Sequence, residues 1–79
     1  MTEFDTKIQS IFREVFDNNA LVLYDAMQAK DVEGWDSLTH ITLIMAIEES
    51  FGIQFNTREV MGFQNVGEML ACLKGKLPQ

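Results

Sequence analysis

Residues 34–55 read GWDSLTHITLIMAIEESFGIQF, the most apolar helical pattern in the chain. Asp36 stands where an N-cap is expected, and Gly52 stands where a helix closes. The spacing predicts a helix over Ser37–Phe51, a rod of ~22 Å at ~1.5 Å per residue. With Leu38 set at ~0° and ~100° per residue, Leu43, Ile44, Ile47 and Phe51 fall between ~140° and ~240°. Leu38, Ile41 and Met45 fall near ~0°, ~300° and ~340°, bracketed by Glu48 near ~280° and Glu49 near ~20°. One apolar stripe suffices for a small bundle, so the second needs a reason. Either the helix is central and packs on both sides, or the stripe is a partner-facing ridge of apolar knobs edged by carboxylates. Glu48 and Glu49 have no basic residue near them in sequence, which favours a ridge of Leu38, Ile41, Met45, Glu48 and Glu49, with Asp36 at its head.

Upstream, Phe4, Ile8, Ile11, Phe12, Val15 and Phe16 recur at helical spacing, which predicts a helix over Glu3–Phe16. Thr2 is its expected N-cap, and Asp5 falls where a capping box would want Glu or Gln. Asp17-Asn18-Asn19 is a stop signal. Leu21–Tyr24 has strand composition but no second strand to pair with. Ala20–Trp35 therefore reads as a long ordered loop with a helical turn near Asp25–Lys30, pinned by Val32 and Trp35. Loops of that length in a small domain tend to be functional.

Downstream, Thr57 is expected to cap a short helix over Arg58–Met61, ended by Gly62. Asn65 then opens another helix, with Glu68 completing a capping box, a stripe of Val66, Met69, Leu70, Leu73 and Leu77, and Pro78 beyond its end. The expected fold is all-α: a four-helix bundle with three longer helices, one short third helix, and a long loop between helices one and two.

Seventy-nine residues make one domain, 1–79, and a monomer is expected. A chain this short buries only about 60% of its unfolded surface, which leaves little room for a deep active site. Apolar residues are 47% and charged residues 23%, as in folded domains. The net charge of −6 argues against nucleic acid and anionic membrane and for basic protein partners. Between Asp31 and Thr57 there are five acids and no Lys or Arg. Cys72 has no second cysteine to pair with, which suits the cytoplasm. The opening residues resemble no secretory signal, and no stretch approaches the roughly 18 apolar residues of a membrane span.

Ser37, at the head of the central helix, has four readings. Serine is common at helix starts and could serve only there. A nucleophile would need a base: His40, three residues on, shares its helix face. A triad also needs an orienting acid and an oxyanion hole, and no G-x-S-x-G elbow is present. His40 otherwise reads as a solvated surface residue, and no catalytic residue is assigned. Metal binding finds no matching ligand spacing. The fourth reading is a handle for covalent modification by another enzyme. A helix N-terminus offers partial positive charge and N–H groups to an added phosphodiester, and an acidic surface would steer in a basic enzyme.

GWDSLTHITLIMAIEESFGIQF resembles the acyl carrier proteins, which bear a 4′-phosphopantetheine arm on the serine of a D-S-L motif. Here that motif is Asp36-Ser37-Leu38. The likeness runs on through EESFGIQF, the short third helix and the NVGEML opening of helix four, while helix one matches in length and pattern. The resemblance implies a carrier and not an enzyme. A phosphopantetheinyl transferase would move the arm from coenzyme A onto Ser37, and the arm's thiol would hold acyl groups as thioesters. Acyl-loading and acyl-transfer enzymes would be the partners, met through the exposed side of helix two. Carriers of fatty-acid synthesis often have acids where this chain has Thr39 and Thr42, so a specialised biosynthetic pathway is expected. A D-alanyl or aminoacyl carrier is the alternative within the family. An unmodified acidic adaptor binding through helix two is the alternative outside it. Trp35 is expected to anchor the loop, Cys72 to be a small buried hydrophobe, and the bundle could shelter an acyl chain.

Overall fold

The computed structural model describes residues 3–77. Four α-helices follow in order: α1 (Glu3–Val15), α2 (Ser37–Phe51), α3 (Thr57–Gly62) and α4 (Val66–Lys76). A 3-10 turn over Ala29–Asp31 interrupts the long connection between α1 and α2. Among the described residues there is no strand. The all-α bundle with a short third helix is as the periodicity dictates.

The core is built from one face of each long helix. α1 contributes Ile8, Ile11 and Phe12, α2 contributes Leu43, Ile44 and Ile47, and α4 contributes Val66, Met69 and Leu73. The connection adds Met27 and Val32. α3 contributes no buried residue; Phe55, Val60 and Phe63 lie half-buried against the core instead.

Helix ends follow local chemistry. α1 stops at Val15, one residue before the expected Phe16, because Asp17 takes the left-handed conformation (φ 51°), which Asp tolerates better than most residues. The expected cap Thr2 lies outside the described residues, as does Pro78. Gly52 closes α2 with φ 67°, where any Cβ would be strained. α3 differs from the expectation: Asn56, not Thr57, is its N-cap, accepting the Glu59 N–H at 2.8 Å while Glu59 accepts the Asn56 N–H at 2.9 Å. That reciprocal box starts the helix one residue early, at Thr57, and it runs through Gly62. Asn65 caps α4 as expected, accepting the Glu68 N–H at 2.8 Å. Glu68, however, reaches back to the Gln64 N–H at 3.0 Å and not to that of Asn65.

The long connection is tied by hydrogen bonds to α1 and α4. Gln9 accepts the Leu23 N–H at 3.2 Å, and Arg13 donates through Nε to the Leu21 carbonyl at 2.8 Å. The Met27 and Asp25 carbonyls accept the N–H groups of Val66 and Gly67, both at 2.8 Å. These are first-turn donors of α4 that the helix itself cannot satisfy. A Cβ on Gly67 would lie 3.0 Å from both Asp25 Cβ and Asp25 O, so glycine permits this approach. At the end of the connection Trp35 packs on Phe12 and Phe16, with ring centroids at 5.7 and 5.3 Å. This aromatic cluster brings the chain into α2 at a fixed angle.

Candidate functional site

Ser37 is exposed and occupies the first position of α2. Its two neighbours in the cap hold it there. Asp36 Oδ1 accepts the Thr39 N–H at 2.9 Å, and Thr39 Oγ1 accepts the Asp36 N–H at 2.7 Å. The Thr39 hydroxyl in turn donates to the Gly34 carbonyl at 2.7 Å, tying the cap to the loop. The Thr39 N–H, and then its hydroxyl, hold the Asp36 carboxyl below its ordinary pKa. Asp36 is thus an anionic cap with its bonds committed. The N–H groups of Ser37 and Leu38 have no acceptor within the helix, and the positive end of the helix dipole lies at the serine. A phosphodiester on Ser37 Oγ would meet this donor-rich helix end and open solvent, so the residues fit such a group.

Beside Ser37 a cavity of about 470 Å³ opens between α2, α3 and the start of α4. Trp35, Ile41, Val60, Met61, Phe63 and Met69 give it a largely apolar wall, and His40 adds a polar one. The loop therefore contributes through Trp35 both to the core and to the site.

His40 is half-buried, which corrects the reading of it as a solvated residue. Trp35 Nε1 donates to His40 Nδ1 at 3.1 Å, and His40 Nε2 lies 3.0 Å from the Val60 carbonyl. The two rings stack at 6.0 Å. With both nitrogens engaged, the imidazole has none to offer Ser37 as a base, and Asp36 is occupied as a cap. The parts of a serine nucleophile lie near one another in sequence but are not assembled in space.

The two stripes of α2 meet different fates. Leu43, Ile44 and Ile47 are 0–4% exposed, whereas Leu38 is 75%, Ile41 47% and Met45 61% exposed. Packing on both sides is overturned: the second stripe faces solvent. Met61 of α3, 78% exposed, lies across the cavity from Ile41 and extends the apolar surface. The sequence marks Met61 only as core or ridge, because a helix of six residues is too short to display a face by periodicity. Glu49 is exposed, but Glu48 is half-buried, and its Oε2 accepts the Phe55 N–H at 2.9 Å. Thr42 donates to the Leu38 carbonyl at 3.1 Å, so this hydroxyl, like that of Thr39, is turned to backbone.

Cys72 is half-buried, not fully buried. Its Sγ donates to Glu59 at 3.3 Å, and Glu59 pairs with Lys76 at 2.9 Å. Burial first, and then Glu59, push the thiol pKa up, which keeps it protonated.

Residues 6–73 match the family model described as "Phosphopantetheine attachment site". Among solved structures, the chain is similar to the solution NMR structure of a holo acyl carrier protein from Geobacter metallireducens. The two share 33% sequence identity and a TM-score of 0.86, over 95% of this chain and 86% of that one. An exposed serine heading a central helix, a four-helix fold, and likenesses that each span most of the chain agree on one assignment: the chain belongs to the acyl carrier protein family, whose members are non-enzymatic carriers with a covalently attached 4′-phosphopantetheine.

Proposed function

We propose that Ser37 is the attachment point of the arm, and that the protein carries acyl intermediates for a specialised biosynthetic pathway. The observation that carries this reading is the exposed Ser37 hydroxyl at the first position of α2, beside a cavity of about 470 Å³ and within the matched residues. Loading forms a bond from Ser37 Oγ to the arm's phosphorus. The phosphoanhydride of coenzyme A breaks, the adenosine bisphosphate half leaves, and the hydroxyl proton passes to a base of the transferase. The arm's thiol supplies the thioester chemistry. The chain's own residues orient and shelter: the Asp36–Thr39 cap fixes the serine, and the cavity offers apolar cover to a chain returning from it.

Leu38, Ile41 and Met45 form the docking ridge for the transferase and the acyl-handling enzymes, with Asp36 at its head and Glu49 at its rim. Glu48 supports the ridge by fixing the turn after α2. The specialised pathway is supported by Thr39 and Thr42, whose backbone-bonded hydroxyls put no charge where fatty-acid carriers often have acids. A monomeric, cytoplasmic carrier is part of the proposal; the Cys72 thiol, kept protonated beside Glu59, suits a reducing compartment.

The test is intact-mass measurement after incubation with coenzyme A, magnesium and a promiscuous phosphopantetheinyl transferase. The mass rises by one phosphopantetheine in the wild type and stays fixed in Ser37→Ala. An unchanged wild-type mass with several transferases would falsify the assignment of Ser37.

A further inference from the structure

α3 is the least anchored helix, yet Val60 and Met61 make it a wall of the cavity beside Ser37. Its ties to α4 are polar: the Glu59–Lys76 ion pair at 2.9 Å and the Cys72–Glu59 contact at 3.3 Å. Its polar tie to α2 runs through His40. An indole N–H can only donate, so His40 Nδ1, 3.1 Å from Trp35 Nε1, has to accept. A neutral imidazole that accepts at Nδ1 carries its proton on Nε2. Nε2 lies 3.0 Å from the Val60 carbonyl, which can only accept. Both contacts therefore demand the same tautomer, and ring stacking at an interplanar angle of 23° holds the imidazole in register. The Val60 carbonyl suits this role. It lies in the last turn of α3, and the Gln64 N–H that would continue the helix is given to Glu68 instead.

We propose that His40 is a positioning residue: its neutral Nε2–H form latches α3 onto α2 and so sets the opening of the cavity beside Ser37. The latch rests on hydrogen bonds of the unmodified chain; only the use of the cavity rests on Ser37 as the attachment point. A second proton, on Nδ1, would set two N–H donors face to face at Trp35. The ring would then turn away and the bond to Val60 would go with it. Few charges surround the ring. Asp36, committed to its cap, is the other titratable group lining the cavity. On α3, Glu59 is engaged by Lys76 and Cys72 of α4. Among the described residues, no Lys or Arg lines the cavity.

The experiment uses the full unmodified chain, so it is independent of whether Ser37 can be loaded. Nitrogen-15 NMR of the histidine ring near neutral pH reads the tautomer, and amide hydrogen exchange reads α3. The expected result is a protonated Nε2 and a bare Nδ1. His40→Phe keeps the stacking and removes both bonds, and should speed exchange of α3 amides about 3- to 10-fold, the scale of one lost hydrogen bond, while amides of α1 stay protected. His40→Gln can still accept from Trp35 and donate to Val60, and should restore most of the protection. In the wild type, α3 exchange corrected for its intrinsic pH dependence should rise together with His40 protonation seen in the same spectra; in His40→Gln that rise should vanish. An Nδ1–H tautomer overturns the latch. So does unchanged α3 exchange in His40→Phe, or an identical pH profile in His40→Gln. Should His40→Phe fail to fold, the wild-type tautomer and the His40→Gln profile still decide.

Discussion

Glu48 and Phe55 are joined across the turn that ends α2: the carboxylate Oε2 accepts the Phe55 N–H at 2.9 Å. The Glu48 carbonyl also accepts the N–H groups of Gly52 at 2.8 Å and Ile53 at 3.2 Å. One residue thus closes the helix with its backbone and aims the chain toward α3 with its side chain. This changes what an acid beside the ridge means. Glu48 holds the turn in place, while Glu49 is left exposed.

The two glutamates should therefore separate in experiment. Glu48→Ala strands the Phe55 N–H and is expected to cost about 1–2 kcal/mol of stability. Urea unfolding should show a lower midpoint at unchanged slope. Glu49→Lys should leave the midpoint within about 0.5 kcal/mol of wild type and slow association with a basic transferase. Stopped-flow binding at two salt concentrations checks the second half, since a steering charge acts on the association rate and is screened by salt.

The two faces of α2 should respond in opposite ways to the same truncation. Leu43 is fully buried, and Leu43→Ala should cost about 2–5 kcal/mol through lost burial and the cavity left behind. Met45 is 61% exposed, so Met45→Ala should move stability by less than about 0.5 kcal/mol. Its effect should fall on partner affinity, by more than about 1 kcal/mol if it is an interface anchor. Thermal unfolding paired with calorimetric titration of a partner distinguishes the two.

Acid should act on the α3–α4 clasp. The Asn56 N–H first, and then Lys76, hold the Glu59 carboxyl at about 2, against an ordinary 4.5. A lowered folded pKa means stability that is present above 4.5 and lost as pH falls from there through about 2. Asp36, lowered by the Thr39 N–H, acts in the same direction below its ordinary 3.8. Glu59→Gln should lower stability at neutral pH, where the ionised carboxylate contributes, and flatten the acid limb of the stability curve in that window. Urea midpoints measured in steps from pH 6 to pH 2 would refute this if the two proteins ran parallel.

Gly67 faces a tight contact. A methyl group there meets Asp25 at 3.0 Å, so Gly67→Ala should make the Asp25 backbone shift slightly away from α4, at about 1–3 kcal/mol for an overpacked contact. Proton chemical shifts of Met27, whose carbonyl accepts the neighbouring Val66 N–H, should move with it.

The helices were legible because their signals are local. Asp36 before a periodic run and Gly52 after it mark both ends of α2, and periodicity marks its two stripes. The start of α3 was missed by one residue because Asn56 and Thr57 are both good caps, and only the bond to Glu59 chooses between them. His40 was misread for a different reason: its partners, Trp35 and Val60, sit five residues before it and twenty after it, on two other elements.

From the sequence alone came the bundle, the helix that carries the candidate site, and the serine at its head, since capping and burial patterns depend on neighbours within a few residues. The flanking acids favoured Leu38, Ile41 and Met45 as the outward stripe of α2, and packing left that stripe exposed; tertiary structure alone decided that Glu48 is an internal acceptor and that His40 joins the loop to α3. A wheel assigns residues to faces, but only packed neighbours determine which face is covered, and a hydrogen bond between distant residues exists only once the chain has folded.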